Sequence, residues 1–255
     1  MSPLLKSLII LRAQQLGIIA FFLLIFEFIT LMEWVRPTTI PFMHKIFPAF
    51  WNSILSGEVL PHLGASLYRL LLSVTFATII SVPTGLLLWR IPLLGKAMEP
   101  IFASLYGMPW IFFYPVFIIM LGLGNTPIVV LGVLYGSIPI VLNTFLGFTQ
   151  VRPIYMKVAQ STQASGWRTF WQIQAPAAAP FLVSGMKIGF IYSFLAVITS
   201  ELLTSPTGLG FLVYYNYYYF NTTEMYGNVL FLIVTGFTLV FLLNRLERAL
   251  RGRFE

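Results

Sequence analysis

Six long apolar runs, separated by short polar links, constrain this chain more than any other feature. Each run is close to the roughly 20 residues that an α-helix needs to cross a bilayer core of about 30 Å. Only 9% of the residues are charged and 58% are hydrophobic, whereas a soluble domain carries about 25% charged residues. We therefore predict an all-α membrane protein with six transmembrane helices. The predicted spans are Leu16–Met32, Leu63–Trp89, Ile101–Leu123, Pro127–Phe148, Phe181–Leu203 and Tyr226–Leu243.

The positions of Lys and Arg predict the orientation of these spans. With the N-terminus inside, most basic residues fall in cytoplasmic links, and only Arg36 and Lys45 fall in outer ones. The positive-inside rule then places both termini in the cytoplasm. Because the basic residues are spread between apolar runs, the formal net charge of +7 does not indicate a nucleic-acid partner. The predicted organisation is one transmembrane domain over 1–255, with a cytoplasmic stub at 1–15, a periplasmic loop at 35–62, a cytoplasmic loop at 149–180 and a basic tail at 244–255.

Four charged residues lie within the predicted spans: Glu27, Arg69, Lys187 and Glu201. A charge at the centre of a membrane helix costs about 2.5–3.5 kcal/mol on insertion scales. Lys187 and Glu201 lie towards the ends of their span, so we expect their side chains to extend to the membrane surface and avoid most of that cost.

The chain has few groups suited to catalysis or metal binding. It contains no cysteine and only two histidines, His44 and His62, which are too far apart in sequence to suggest a metal site; we expect both at the membrane interface. It has no Gly-rich phosphate-binding motif, and no Ser-His-acid or paired-carboxylate pattern. We therefore predict that the chain is not itself an enzyme and binds no metal or nucleotide.

Glycine and proline interrupt the second, third and fourth spans. A membrane helix tolerates such breaks only where neighbouring helices or water satisfy the freed backbone groups, so we expect these helices to be inner ones that pack together or line a path. Path lining is expected for the third to fifth spans. The alternative is that Gly and Pro are simply commoner in membrane helices than in soluble ones. The candidate path residues are Tyr106, Pro109, Trp110, Phe113, Tyr114 and Tyr135.

Two predicted outer segments have their own patterns. "KIFPAFWNSIL" (45–55) is typical of a short amphipathic helix lying at the interface. "FLVYYNYYYFNTTEMY" (211–226) concentrates aromatic residues, which fits an interfacial aromatic belt. A docking surface for an extracytoplasmic protein and an outer gate are the alternatives.

The cytoplasmic stretch Val151–Ile173 predicts two short helices joined by a turn. Pro153 suits a first helical turn, Ser165 suits an N-cap, and Pro180 suits the first turn of the fifth span. The Trp and Phe residues of the second helix need a surface to pack against, which favours a docking site for a separate cytoplasmic protein. A helix lying on lipid headgroups is the alternative.

The stretch "KVAQSTQASGWRTFWQIQAPAAAPFLVSGMKIG" (157–189) resembles the cytoplasmic signature loop of binding-protein-dependent ABC importer permeases. "GEVLPHLGASLYRLL" (57–71), "MEPIFASLYGMPWIFFYPVFIIMLGLG" (98–124) and "SELLTSPTGLGFLV" (200–213) are similar to segments of the nitrate, sulfonate, taurine and pyrimidine-precursor branch. The resemblance implies the type I (MetI-like) importer fold in a bacterial inner membrane. It also implies a second permease subunit, identical or related, two cytoplasmic ATPases that bind ATP and Mg, and an extracytoplasmic binding protein.

Two residues depart from the family pattern of this loop. Lys157 stands where the family has Glu, and Gln163 stands where it has Gly. A left-handed turn at Gln163 would cost about 1–2 kcal/mol, and Gly166 offers an alternative turn three residues later. We expect Ala159 to let the loop approach the ATPase groove, and Trp167 and Phe170 to anchor or brace it. The predicted ATPase-coupling residues are Lys157, Val158, Ala159, Gln160, Gln163, Ala164, Gly166, Trp167, Arg168 and Phe170.

The function that these features favour is the permease subunit of an ATP-driven importer that works by alternating access. A secondary transporter or channel that needs no ATPase is the alternative, and a membrane scaffold is a third. The aromatic residues and the few charges of the inner spans favour a small organic or aromatic solute over an inorganic anion.

Overall fold

The computed structural model describes residues 3–32, 34, 36 and 39–251, and every regular element in this part of the chain is helical. The chain divides into two compact units. One comprises Met1–Val59 and Leu212–Ile233, and the other Leu60–Phe211 and Val234–Glu255. The α-helices are α1 (Pro3–Leu31), α2 (Met43–Leu55), α3 (Val59–Arg90), α4 (Pro92–Tyr106), α5 (Tyr114–Leu121), α6 (Asn125–Thr149), α7 (Pro153–Ser161), α8 (Gly166–Thr169), α9 (Ala175–Thr204), α10 (Leu209–Tyr218) and α11 (Thr222–Arg251).

The helices agree with most of the predicted spans. Among the described residues, four helical segments are long and apolar enough to cross a membrane, and they contain the second, fourth, fifth and sixth predicted spans. A bent helix pair raises that number to five, and nearly all of the first predicted span lies in α1. The all-helical fold is therefore confirmed, while the count of six spans and their orientation stay predictions.

The third predicted span is not one continuous helix. α4 and the segment Trp110–Leu121, a 3₁₀ turn followed by α5, meet at an angle of 83°. Pro109 has no N–H and cannot donate to the carbonyl of Leu105 four residues earlier. That carbonyl accepts instead from Met108 N (3.2 Å) and from the indole Nε1 of Trp110 (3.0 Å). The sequence predicted the location of the break but not its angle.

In the first unit, Glu27 of α1 binds the N-terminus of α2. Its Oε2 accepts from Met43 N (2.6 Å), and its Oε1 lies 3.0 Å from His44 Nδ1. A helix N-terminus carries free N–H groups and a partial positive charge, so a carboxylate is stabilised there. The predicted helix within 35–62 is thus confirmed, and Glu27 has a structural role in an otherwise apolar run.

In the second unit, α6 and α9 pack closely along one another. Ser193 Oγ donates to Gly132 O (2.9 Å) across the pair. A Cβ on Gly136 would overlap Ser193 Oγ and would lie 3.1 Å from Gly189 O. Small residues therefore let the two backbones approach, as is usual where membrane helices pack.

Candidate functional site

The segment between α6 and α9, residues 150–174, is called the α6–α9 loop below. It begins with α7, whose first residue is Pro153, as predicted. After α7 the chain turns at Gln163, which has a left-handed φ of 50°, and Ala164 N donates to Ala159 O (3.0 Å). The turn therefore lies at Gln163 and is not displaced to Gly166. Ser165 caps α8, and its Oγ accepts from Arg168 N (3.4 Å), as predicted.

The second half of the α6–α9 loop differs from the prediction. The helix that starts after Ser165 does not end before Pro176, and Pro180 lies inside α9. A π-helical segment, Phe170–Gln174, joins α8 to α9, and Ala175 N donates to Phe170 O five residues earlier. This wide turn brings Pro176, which lacks an N–H, into the first turn of α9, where proline is tolerated. The loop is therefore continuous with α9.

An aromatic stack holds the α6–α9 loop against the helices of its own unit. The ring of Phe170 stacks on Phe148 of α6, with centroids 5.6 Å apart and planes 3° apart. Trp89, near the end of α3, lies 5.0 Å from the Phe148 ring and 6.4 Å from the Phe170 ring. Phe170 thus braces the loop, one of the two roles expected for it.

The predicted coupling residues divide into buried and exposed ones. Ala159 is only 3% exposed in the chain by itself, so its side chain is already buried without a partner. That Ala159 lets the loop approach a groove on another protein stays a prediction. By contrast, Trp167 is 73% exposed. The other exposed predicted residues are Lys157, Val158, Gln160, Gln163, Gly166 and Arg168, while Ala164 and Phe170 are partly buried.

A buried ion pair lies at the opposite end of α9. Arg69 Nη1 donates to Glu201 Oε1 (2.7 Å), and the two residues are 3% and 1% exposed. The guanidinium also donates to both oxygens of Thr207 (2.8 Å each) and to Asn125 Oδ1 (2.8 Å). The prediction that Glu201 extends to the membrane surface is wrong, because Arg69 compensates its charge in the interior.

The other oxygen of Glu201 is also satisfied. Glu201 Oε2 accepts from Ser66 Oγ (2.7 Å) and from Gly210 N (3.2 Å). Next to it, His62 Nδ1 accepts from Gly208 N (3.0 Å). The network fixes the turn between α9 and α10 against α3. No group of three or more potential metal ligands is present among the described residues.

Lys187 also has a charged partner. Its Nζ lies 2.9 Å from Glu247 Oε2 of α11, and both side chains are partly or largely buried. That Lys187 extends to the membrane surface stays a prediction, and its partner Glu247 lies in the predicted cytoplasmic tail. Neither pair was apparent from the sequence, because the partners are 132 and 60 residues apart.

The predicted path residues lie around the bend between α4 and α5. Tyr106 packs against Tyr192 of α9, with ring centroids 5.1 Å apart, and the Tyr135 hydroxyl accepts from Ile111 N (3.2 Å). The ring centroids of Trp110 and Phe113 are 5.7 Å apart, and Pro109 precedes them at the bend.

Tyr114, however, is 1% exposed and lies in a core cluster. Tyr192 was not predicted, because a tyrosine within an apolar run carries no separate signal.

Comparison with known proteins agrees with this architecture. The taurine transport system permease protein TauC of Escherichia coli is 23% identical over 241 residues, which are 92% of this chain and 88% of TauC. The nitrate import permease protein NrtB of Synechocystis is 27% identical over 183 residues, 70% of this chain and 66% of NrtB. A structure of the MetNI methionine ABC transporter in an inward-facing conformation has the same fold, with a TM-score of 0.64 and 19% identity over 75% of this chain and 95% of that chain.

The taurine and nitrate relatives lie within the branch that the sequence resembles. The sequence profile of one family matches residues 77–255, which is more than half of the chain. The profile is described as the inner membrane component of binding-protein-dependent transport systems. The chain therefore belongs to the family of binding-protein-dependent transport system inner membrane components.

Proposed function

We propose that this chain is the permease subunit of an ATP-driven importer and that the α6–α9 loop is the docking site for its ATPase. The observation that carries the proposal is the exposed side chain of Trp167 in this loop. The loop is fixed to α6 by the stacking of Phe170 on Phe148. An exposed aromatic residue on a fixed base is the usual form of an interface anchor. Family membership gives the reason for such a site, since transport by these systems needs more than one kind of subunit.

The partners follow from the same proposal. Two ATPase subunits would bind ATP and Mg, and each would contact the α6–α9 loop of one permease subunit. A second permease, identical or related, would complete the membrane assembly, and an extracytoplasmic binding protein would deliver the solute. The relatives named for taurine and methionine transport support a small organic solute, although the relative named for nitrate import shows that the same fold serves inorganic anions.

The mechanism begins with a displacement of the α6–α9 loop when the ATPases close on ATP. The loop continues without interruption into α9, and Phe170 ties it to α3 and α6. Its displacement therefore reaches three membrane helices directly. Such a rigid-body movement would open the solute path alternately to the two sides of the membrane.

A secondary transporter or channel is less well supported. Such proteins use protonatable residues within the membrane as relays. Here Glu201 is held by Arg69, and Glu27 is held at the N-terminus of α2. Both acidic residues therefore have structural partners.

Co-purification of the ATPase tests the proposal. We expect Trp167→Ala to weaken ATPase binding about 30-fold, because truncating an interface anchor costs about 2 kcal/mol or more. Val158→Glu, which places a charge at another exposed residue of the loop (51%), should abolish binding. Trp51→Ala is the matched control, because Trp51 is similarly exposed (57%) but lies on α2. If both loop variants retained the ATPase as well as the control does, the loop would not be the docking site.

Cysteine labelling tests the orientation on which the proposal depends. The chain has no native cysteine, and a side chain at Gly166 would meet open space. In intact cells, Gly166→Cys should resist a membrane-impermeant thiol reagent, whereas Asn221→Cys should react. The reverse pattern would place the α6–α9 loop outside the cell and exclude ATPase docking there.

A further inference from the structure

A cavity of about 160 Å³ in the second unit is lined by residues of α3, α9 and α11. We call it the α3–α9–α11 cavity. Leu246, in its lining, is 57% exposed, so the cavity reaches the surface of the chain. Apart from one ion pair, the lining is mainly apolar and includes Val74 and Thr78 of α3, Val183 and Phe190 of α9, and Leu243 of α11. Apolar cavities of about 150 Å³ exclude water and take up hydrocarbon groups the size of benzene. The cavity therefore suits a hydrocarbon chain.

The ion pair in this lining is the one between Lys187 and Glu247. The two side chains are 29% and 13% exposed, so a bound molecule can reach both charges. The Lys187 ammonium has three N–H donors, and among the described residues it donates only to Glu247 Oε2 (2.9 Å). A carboxylate can accept about four hydrogen bonds, so Glu247 can accept from a second cation as well as from Lys187. The pair thus offers a donor and an acceptor of opposite charge side by side.

The predicted topology places this pair at the level of the lipid headgroups. Lys187 is near the start of the fifth predicted span, Phe181–Leu203, and Glu247 is in the predicted cytoplasmic tail, 244–255. In the predicted orientation, both therefore lie at the inner surface of the membrane. An apolar cavity next to charged groups at that depth matches the two parts of a phospholipid, which are the acyl chain and the headgroup.

The signs of the two charges select the headgroup. An anionic headgroup would bring its phosphate to Lys187, but its net charge would also face the Glu247 carboxylate, and like charges repel. A choline headgroup has a positive charge but no N–H group to donate to Glu247. A phosphoethanolamine headgroup carries a phosphate and a primary ammonium, so it can form a charge-assisted hydrogen bond with each member of the pair.

We propose that the α3–α9–α11 cavity is a lipid site that selects phosphatidylethanolamine. One acyl chain would occupy the cavity, the phosphate would accept from Lys187 Nζ, and the ammonium would donate to the Glu247 carboxylate. The lipid would then tie α11 to α9 through both of its charges. This site goes beyond the proposed function, because its ligand is a component of the membrane and is neither the solute nor a protein subunit.

Native mass spectrometry of the full-length, delipidated permease in detergent tests the site. The probes are the dioleoyl forms of phosphatidylethanolamine, phosphatidylcholine and phosphatidylglycerol, each titrated alone. We expect the first bound lipid to have an apparent affinity about tenfold higher for phosphatidylethanolamine, because the other two lack the ammonium donor and lose one charge-assisted hydrogen bond. Glu247→Gln removes the acceptor charge and should reduce this preference to about twofold or less. Val183→Phe, which fills the cavity, should abolish saturable binding of the first lipid.

Glu58→Gln is the matched control, because Glu58 is exposed and is not part of the cavity lining, so this variant should keep the full preference. Equal affinities of the wild-type chain for the three lipids would refute the site, and so would tighter binding of phosphatidylglycerol. Neither result depends on the folding of a variant. A preference for phosphatidylethanolamine that is unchanged in Glu247→Gln would also refute the site. The measurement uses no ATPase, so loss of ATPase co-purification would contradict the proposed function without affecting this result, and the reverse also holds.

Discussion

Glu201→Gln should destabilise the protein strongly, because it removes one charge from a buried ion pair. Removing one partner of such a pair costs about 3–5 kcal/mol. Arg69 would keep neutral acceptors on Thr207 and Asn125, so we expect the lower end, about 3 kcal/mol. At about 2–4 °C per kcal/mol for a chain of this length, the thermal midpoint should fall by about 6–12 °C.

Thermal unfolding in a single detergent, followed by tryptophan fluorescence and by loss of the monodisperse chromatographic peak, measures this effect. Glu58→Gln is the matched control, because Glu58 is exposed and its substitution should change the midpoint by about 1 °C or less. The double variant Arg69→Met, Glu201→Met should recover at least half of the loss, since buried pairs are often replaced by apolar residues at little cost. This reasoning would be refuted if Glu201→Gln had the same midpoint as the control. It would also be refuted if the double variant lost as much stability as the two single variants, Arg69→Met and Glu201→Met, lose when their losses are added.

Three further perturbations test other parts of the structure. Gly136→Ala should lower the thermal midpoint, because the added methyl overlaps Ser193 Oγ and overpacking costs about 1–3 kcal/mol. Gly64→Ala is the control and should not lower the midpoint, because a methyl group there meets open space. Equal midpoints for the two variants would contradict the close α6–α9 packing. Gln163→Gly should slow proteolysis of the α6–α9 loop, because glycine relieves about 1 kcal/mol of strain in the left-handed turn and so makes the folded loop more stable. An unchanged rate of proteolysis would mean that the turn is unstrained. Glu27→Leu should speed hydrogen exchange in the first turn of α2 through loss of its carboxylate acceptor, and unchanged exchange would argue against that anchoring role.

The main helices were predictable because their signal is local. An apolar run of the right length must bury its backbone hydrogen bonds in a helix, so the spans that lie in α3, α6, α9 and α11 followed from composition alone. The break at Gly107 and Pro109 was also local. Its angle of 83° was not, and Ile111 N beyond the break donates to Tyr135, 24 residues later.

The sites were less predictable because their partners are distant in sequence. Arg69 and Glu201 each suggested an isolated charge, and only the packing of α3 against α9 shows that they neutralise one another. Ala159 suggested an interface residue because it is small. In the structure it is 3% exposed, which a sequence pattern does not show. The helix that follows continues through Pro176 because of a π-helical segment that no sequence pattern predicted.

The continuity of the α6–α9 loop with α9 makes the helix a long lever. α9 has 30 residues, so at 1.5 Å per residue it is about 45 Å long. A tilt of about 5° at the loop end would move the far end by about 4 Å, more than a 2.7 Å hydrogen bond between Arg69 and Glu201 can absorb. Under the proposed coupling, either α3 would swing together with α9 during each transport cycle, or this ion pair would break and re-form once per turnover and set part of the barrier between the two orientations.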